Sequence, residues 1–398
     1  MNSTFFEKYG QDMVQTNLTL SEEVVQGFLR KNNFAVVGLY GVLFPVAVIA
    51  NVLLIVTVVR DRFMQNVTNY FLVNLSVADL LVAVICMPTA AWRAYTDDFR
   101  FGEFTCKISV YLQCIAVASS IFTITAMAVD RSTAIIRPFF RCFNKTTTIL
   151  VIMFLWTASL ILFSPNLWIA SLSIISVQYS SHNSTSEVAM CRMDWADFPV
   201  PRHVIGIIWF TFMFAVPGFI MTIAYAMMGK TLCTPIPQFD NTESACIQQR
   251  NRLMKSRKRV ACILLLLAFV FAGCWLPYHI MSLITDTTTQ AVVEYRVVVQ
   301  MDTINAYLLL LGHANSALNP IIYCALSRNF RNSIKQLLRT RITFRKRRNQ
   351  MNNLALDSSG SGFLVPSLRK SVPLLNQHTI NRLRRQSSSQ KTTKTCAV

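Results

Sequence analysis

CKISVYLQCIAVASSIFTITAMAVDRSTAIIRP, residues Cys106 to Pro138, is a long apolar run with one polar device near each end. At 1.5 Å of rise per helical residue, the steps from Gln113 to Arg131 cover about 27 Å, close to the ~30 Å hydrocarbon thickness of a bilayer. One helix here joins two faces of a membrane. Cys106 at its start suits an oxidising exterior. The adjacent Asp130 and Arg131 at its end form a charged pair too costly to leave facing lipid.

The rest of the chain agrees with that reading. Hydrophobic residues make up 53% of the 398 and charged residues 14%, with mean hydropathy +0.41, a balance that belongs to integral membrane proteins. The net charge of +19 is concentrated late: from Arg328 onward the basic residues, including Arg345, Lys346, Arg347 and Arg348, face one acid, Asp357. On a chain with this many spans, the positive-inside rule accounts for such a tail better than nucleic acid does, and no nucleic-acid partner is expected.

Seven apolar runs of spanning length follow one another at 35–59, 69–91, 106–137, 147–170, 203–229, 258–285 and 299–324. The expected fold is an all-α seven-helix transmembrane bundle over 35–326, with an extracellular glycosylated segment at 1–34, an amphipathic membrane-surface helix at 327–340 and a disordered basic cytoplasmic tail at 341–398. Residues 1–33 lack the basic and apolar regions of a cleaved signal, so the first span itself is expected to direct insertion with the N-terminus outside. Basic residues line the loops of one face (Arg60, Arg62, Arg141, Lys145, Lys230, Arg257), and acids line the other (Asp98, Glu103, Asp194). The sequons at Asn2, Asn17 and Asn183 fall outside and read as glycosylation sites, whereas those at Asn66 and Asn144 fall inside and should stay bare. After the last span, Phe330, Ile334, Leu337 and Leu338 make one apolar stripe among basic residues. Most of the eleven cysteines lie within apolar runs, but Cys106 and Cys191 sit at outer edges, where a bridge would pin the loop bearing Cys191 to the top of the third span.

Polar side chains inside the runs need a reason. Asn51, Asp79, Ser120, Asn315, Ser316 and Asn319 form a candidate interior cluster. Amides and hydroxyls commonly join helices, but a lone carboxylate wants a cation or a proton. Pro217, Pro277 and Pro320 each remove a helix hydrogen bond near Tyr225, Trp275 and Tyr323, which suits a bundle with two arrangements. Walker loops, HExxH zinc motifs and nucleophile elbows are missing from the sequence, and no enzyme is expected.

The conjunction of Asn51, Leu75 to Asp79, Cys106 with Cys191, Asp130-Arg131, Trp156, Pro217, Cys274-Trp275-Leu276-Pro277 and Asn319-Pro320-Ile321-Ile322-Tyr323 resembles the rhodopsin-like G-protein-coupled receptors over residues 35–340. That resemblance implies a plasma-membrane receptor that activates heterotrimeric G proteins, with kinases and arrestin meeting the tail and lipid around the bundle. No cofactor is implied beyond a structural or allosteric sodium ion at Asp79, Ser120, Asn315 and Asn319. It further implies a packing switch at Ile121, Pro217 and Phe271 beneath Trp275. The implied output has Arg131 swinging from Asp130 to meet Tyr225, Tyr323 and the G protein.

The chain departs from the family pattern at Ser132, where an aromatic is usual, and at Arg257, where many members carry an acid able to hold Arg131. Arg257 gives an expectation of raised basal signalling, set against the alternative that Asp130 alone restrains Arg131.

Among receptor types, the seventh run has no lysine for a retinal Schiff base, with His313 near that level, and Gln113 replaces a monoamine counter-ion. Nor is there a transporter's repeated half. VTNYFLVNLSVADLL and FGEFTCK are most similar to the neuropeptide receptors, the group holding neuropeptide FF, neuropeptide Y, SIFamide, orexin and cholecystokinin receptors. The expected ligand is a short extracellular peptide ending in an amidated aromatic residue with an arginine nearby. Gln113, about 10 Å below Cys106, is expected to meet the carboxamide and Asp286 the guanidinium, between walls of Trp209, Tyr278, His279 and Tyr307. The alternative is an orphan or constitutively active seven-span regulator without a peptide agonist.

Overall fold

The computed structural model describes residues 33–96, 98–137, 143–179, 184–196, 198–233, 244–287, 295–337 and 339. The sequons at Asn2, Asn17 and Asn183 and the tail at 341–398 lie outside them or beside them without a described environment. The chain divides into two units, residues 1–234 with 257–334 and residues 235–256 with 335–398. The spans are described within the first, apart from residues 254–256 at the start of the sixth. In the second, 244–256, 335–337 and 339 are helical.

Among the described residues, seven helices are long and apolar enough to cross a membrane: Phe34–Arg60, Val67–Tyr95, Gly102–Ile136, Lys145–Phe163, Arg202–Leu232, Met254–Thr285 and Thr303–Leu326. The third is the most enclosed, with 67% of its apolar window buried, and the fourth the least, at 17%. The helix that carries Gln113 and Arg131 is therefore the one the others pack around. Its inward face, with Ile115, Ile121, Ile124 and Met127, joins Leu72, Leu267, Phe271 and Trp275 in the main core.

Local chemistry sets the helix ends. Asn33, Asn66 and Asn144 each accept a hydrogen bond from the backbone N–H three residues on, at 3.2, 3.1 and 2.8 Å, and so start the first, second and fourth spans as N-caps. Two of these, Asn66 and Asn144, are the sequons expected to stay bare, and their side chains are already committed to helix starts. The fourth span ends at Phe163 rather than 170, because Pro165 has no N–H for the Ile161 carbonyl four residues back. The Ser164 hydroxyl donates to that carbonyl instead, at 2.9 Å.

Two spans contain a wide turn, Val82–Cys86 and Thr211–Ala215. Each is followed two residues later by a proline, Pro88 and Pro217. A proline ring collides with the carbonyl four residues back, here Val84 and Met213, and both carbonyls lie within the widened turns that make room for it. Pro45, Pro277 and Pro320 instead sit inside continuous helices.

Beyond the fourth span, β1 (Ala170–Tyr179) and β2 (Ser184–Met193) form an antiparallel hairpin, with Leu172 opposite Cys191. The sequence reading had only a loop here. Cys191 is bonded to Cys106, a separation of 85 residues. Phe99, 2% exposed, packs with both cysteines and with Val110 and Leu172. The hairpin is also tied by backbone: Phe99 N–H donates to Ala189 O at 2.6 Å and Asp194 N–H to Ile169 O at 2.7 Å, while Ala189 N–H donates to the Asp98 carboxylate at 3.3 Å. Asp98 also pairs with Arg100 at 2.6 Å.

Non-reducing peptide mapping of surface-expressed protein is expected to recover Cys106 and Cys191 in one linked fragment. Alkylation of both thiols in the folded protein would contradict the bridge.

Candidate functional site

The interior polar residues come together unevenly. Asp79 is 1% exposed and accepts from Asn319 Nδ2 at 3.1 Å, with the Ser316 side chain also in hydrogen-bonding reach. Asn51 donates to the carbonyls of Ala47 and Ser316 at 2.9 and 2.8 Å, which ties the first span to the seventh. Ser120 donates to Ala116 O of its own helix at 2.9 Å. No hydrogen bond among the described residues joins Ser120 or Asn315 to Asp79. The amide oxygens of Asn51, Asn315 and Asn319 are buried without a hydrogen-bond partner among the described residues. A buried carboxylate in a bundle that also buries unpartnered amide oxygens is richer in acceptors than in donors, a chemistry that suits a small hard cation.

Above this cluster lies Trp275, 2% exposed, over Phe271 at 0% and Ile121 at 2%, with Pro217 also buried. Gly312 permits this placement: a Cβ there would lie 2.8 Å from the Trp275 ring carbons Cε3 and Cζ3. Sequence reading missed Gly312, although a glycine within the last apolar run was a signal for close approach.

Below the cluster, at the inner end, Arg131 Nε donates to Asp130 at 2.9 Å. Tyr323 OH donates to Asn69 Oδ1 at 2.9 Å. The Tyr225 hydroxyl is buried without a partner. Arg131, Tyr225 and Tyr323 share no hydrogen bond among the described residues, and the Asp130–Arg131 pair is closed. Arg257 makes no ion pair among the described residues. Two further links escaped the sequence reading. Asn74 donates to Thr123 at 2.8 Å and accepts from Trp156 Nε1 at 2.8 Å, joining three spans. Asp61 accepts from the Phe63 N–H at 3.0 Å and from the Ser333 hydroxyl at 2.5 Å.

Toward the outer side, Gln113 is half-buried. Tyr278 and His279 lie against Trp275, with ring centroids 6.2 and 6.0 Å away, and His279 also meets Phe214 at 5.1 Å. Trp209 is turned toward the fourth span: its Nε1 donates to Leu162 O at 3.2 Å and its ring lies 5.5 Å from Phe163. Tyr307, 42% exposed, donates to Asn33 at 3.3 Å. Asp286 falls in the last turn of the sixth helix, but its side chain lies outside the described residues.

The family description "7 transmembrane receptor (rhodopsin family)" matches residues 50–323. The chain is 32% identical over 310 residues to neuropeptide FF receptor 2 of Mus musculus, covering 74% of this chain and 70% of that one. It is 29% identical over 307 residues to tachykinin-like peptides receptor 99D of Drosophila melanogaster, covering 76% and 56%. With the pyroglutamylated RF-amide peptide receptor of Rattus norvegicus it shares 27% over 304 residues, covering 75% and 68%.

If the interior oxygens hold sodium, the ion stabilises the folded protein by mass action. Sodium at ~10 times its Kd adds about 1.4 kcal/mol. Purified protein is expected to melt higher in sodium chloride than in choline chloride of equal ionic strength, and Asp79→Asn to lose that difference. An equal sodium effect in both proteins would reject the site.

Proposed function

The chain belongs to the rhodopsin family of seven-transmembrane receptors, and from that premise we propose that it is a plasma-membrane receptor for a short, C-terminally amidated neuropeptide, with its N-terminus outside, acting through heterotrimeric G proteins. This is a receptor class rather than an enzyme: its work is a shift between arrangements of one bundle. The observation that carries the peptide reading is that the neuropeptide FF, RF-amide and tachykinin-like relatives are all named as peptide receptors.

In this reading the peptide enters from the outer side, beneath the hairpin held by Cys106–Cys191. Gln113 can both donate to and accept from a terminal carboxamide without burying an unpaired charge. Asp286, at the end of the sixth helix, takes a guanidinium as a charge-assisted pair. Tyr278 and His279, packed edge-on and tilted against Trp275, offer an aromatic floor. Pressure on that floor is passed to Phe271 and, through the seventh span, to the Asp79–Asn319 hydrogen bond. At the inner end it opens the Asp130–Arg131 pair and frees Tyr323 from Asn69. A sodium ion at Asp79 would favour whichever arrangement holds it more tightly, and in this reading that is the closed one. Kinases and arrestin are the proposed partners of the tail, and anionic lipid that of the basic helix after the seventh span.

Potency of amidated, arginine-containing peptides on expressed receptor tests the assignment. Asp286→Ala is expected to lower potency by about 30-fold or more if the pair is buried. Asp286→Arg should lose the arginine peptide and regain response to its Arg-to-Asp analogue. Unchanged potency in Asp286→Ala for every active peptide would overturn it.

A further inference from the structure

Trp275 is held from a side that the peptide reading does not use. The residue after Gly312 is His313, whose imidazole meets the indole edge-on, with centroids 5.9 Å apart and an interplanar angle of 75°. His313 is 0% exposed. Its Nδ1 lies 2.9 Å from the hydroxyl of Tyr40 in the first span, itself 3% exposed. First, seventh and sixth spans are thus joined in one line that ends on the indole.

The chemistry of that line makes it stiff. A neutral imidazole carries one proton, and the bond to Tyr40 gives Nδ1 a partner, while Nε2 has none among the described residues. Turning the ring would leave both nitrogens unpaired in an apolar interior, which costs the full desolvation of a polar group. The torsion that would otherwise be soft in histidine is therefore fixed by a hydroxyl on another helix. One residue earlier, Gly312 lets the indole approach the seventh span closely, since a methyl group there would meet it at 2.8 Å.

We propose that Tyr40 and His313 are positioning residues of the switch: their hydrogen bond sets the imidazole against Trp275 and so weights the bundle toward the arrangement in which Asp130 and Arg131 are paired. This rests on the receptor reading above, but on no particular peptide. A purely packing role would have the two residues support both arrangements alike, and their loss would lower stability without shifting the balance. A positioning role shifts the balance.

The test compares full-length wild type with Tyr40→Phe, His313→Leu, the double variant and His313→Gln, in nanodiscs and in cells at equal surface expression, without peptide. Two quantities are read: basal G-protein activation, and amide hydrogen exchange over residues 254–270 of the sixth span. Tyr40→Phe and His313→Leu should each raise basal output about threefold to tenfold, the weight of one net hydrogen bond, and speed exchange in that segment. The double variant should do no more than either single one, because both remove the same bond. His313→Gln, whose amide can still meet the hydroxyl, should stay nearer wild type. Unchanged exchange in Tyr40→Phe, additive effects in the double variant, or a lowered melting point with no change in balance would each overturn the proposal. Faster exchange without G-protein output would uphold the positioning role and count against the G-protein reading.

Discussion

Asp79 lies inside the bundle at 1% exposure, where it accepts a 3.1 Å hydrogen bond from Asn319. A carboxylate so placed loses its hydration and must be repaid by donors, by a proton or by a cation. Much of the surrounding structure follows from that demand. The seventh span has to bring an amide to it, and the first span is drawn to the Ser316 carbonyl by Asn51. Because the link crosses between helices rather than running along one, a change in how the second and seventh spans meet changes its strength. A single buried interaction of this kind is a natural point at which two packings of one bundle are weighed against each other.

What surrounds the link is built to move in steps. The widened turns before Pro88 and Pro217 absorb proline within otherwise regular helices, whereas Pro277 and Pro320 stay inside continuous helices close to Trp275 and Asn319. The indole is wedged between Gly312 and the aromatic floor. The Asp130–Arg131 pair and the Tyr323–Asn69 bond hold separate parts of the inner end. The Asp130 carboxyl is buried and the Arg131 guanidinium partly exposed, and the Tyr323–Asn69 bond is a neutral one, so the closed arrangement is a sum of a few local terms that peptide binding can outweigh.

The spans were legible because hydropathy and length are nearly sufficient to place a membrane helix, and Asp79, Trp275 and Asn319 stood out as polar or bulky residues at depth. The hairpin was not: its alternation at Ser171, Leu172 and Ser173 is short and lies beside an apolar run, where helix and strand patterns are hard to separate. The early end of the fourth span needed the meaning of Ser164-Pro165. Asn66 and Asn144 read as sequons, while their capping role depends on the helix that starts after each. The Tyr40–His313 contact joins residues 273 apart in sequence, and no local pattern encodes it. Trp209 had the composition of a pocket wall, yet its indole N–H found a carbonyl of the fourth span.

The account stands most directly on the claim that Asp79 and Asn319 act as one coupled unit that sets the balance of the bundle. A double-mutant cycle measures this: Asp79→Asn, Asn319→Asp and the reciprocal pair, scored by G-protein nucleotide exchange in nanodiscs at matched receptor amounts. The account predicts that each single variant shifts output and that the pair recovers toward wild type, with a coupling of about 1–3 kcal/mol. Single effects that simply add in the pair would contradict it.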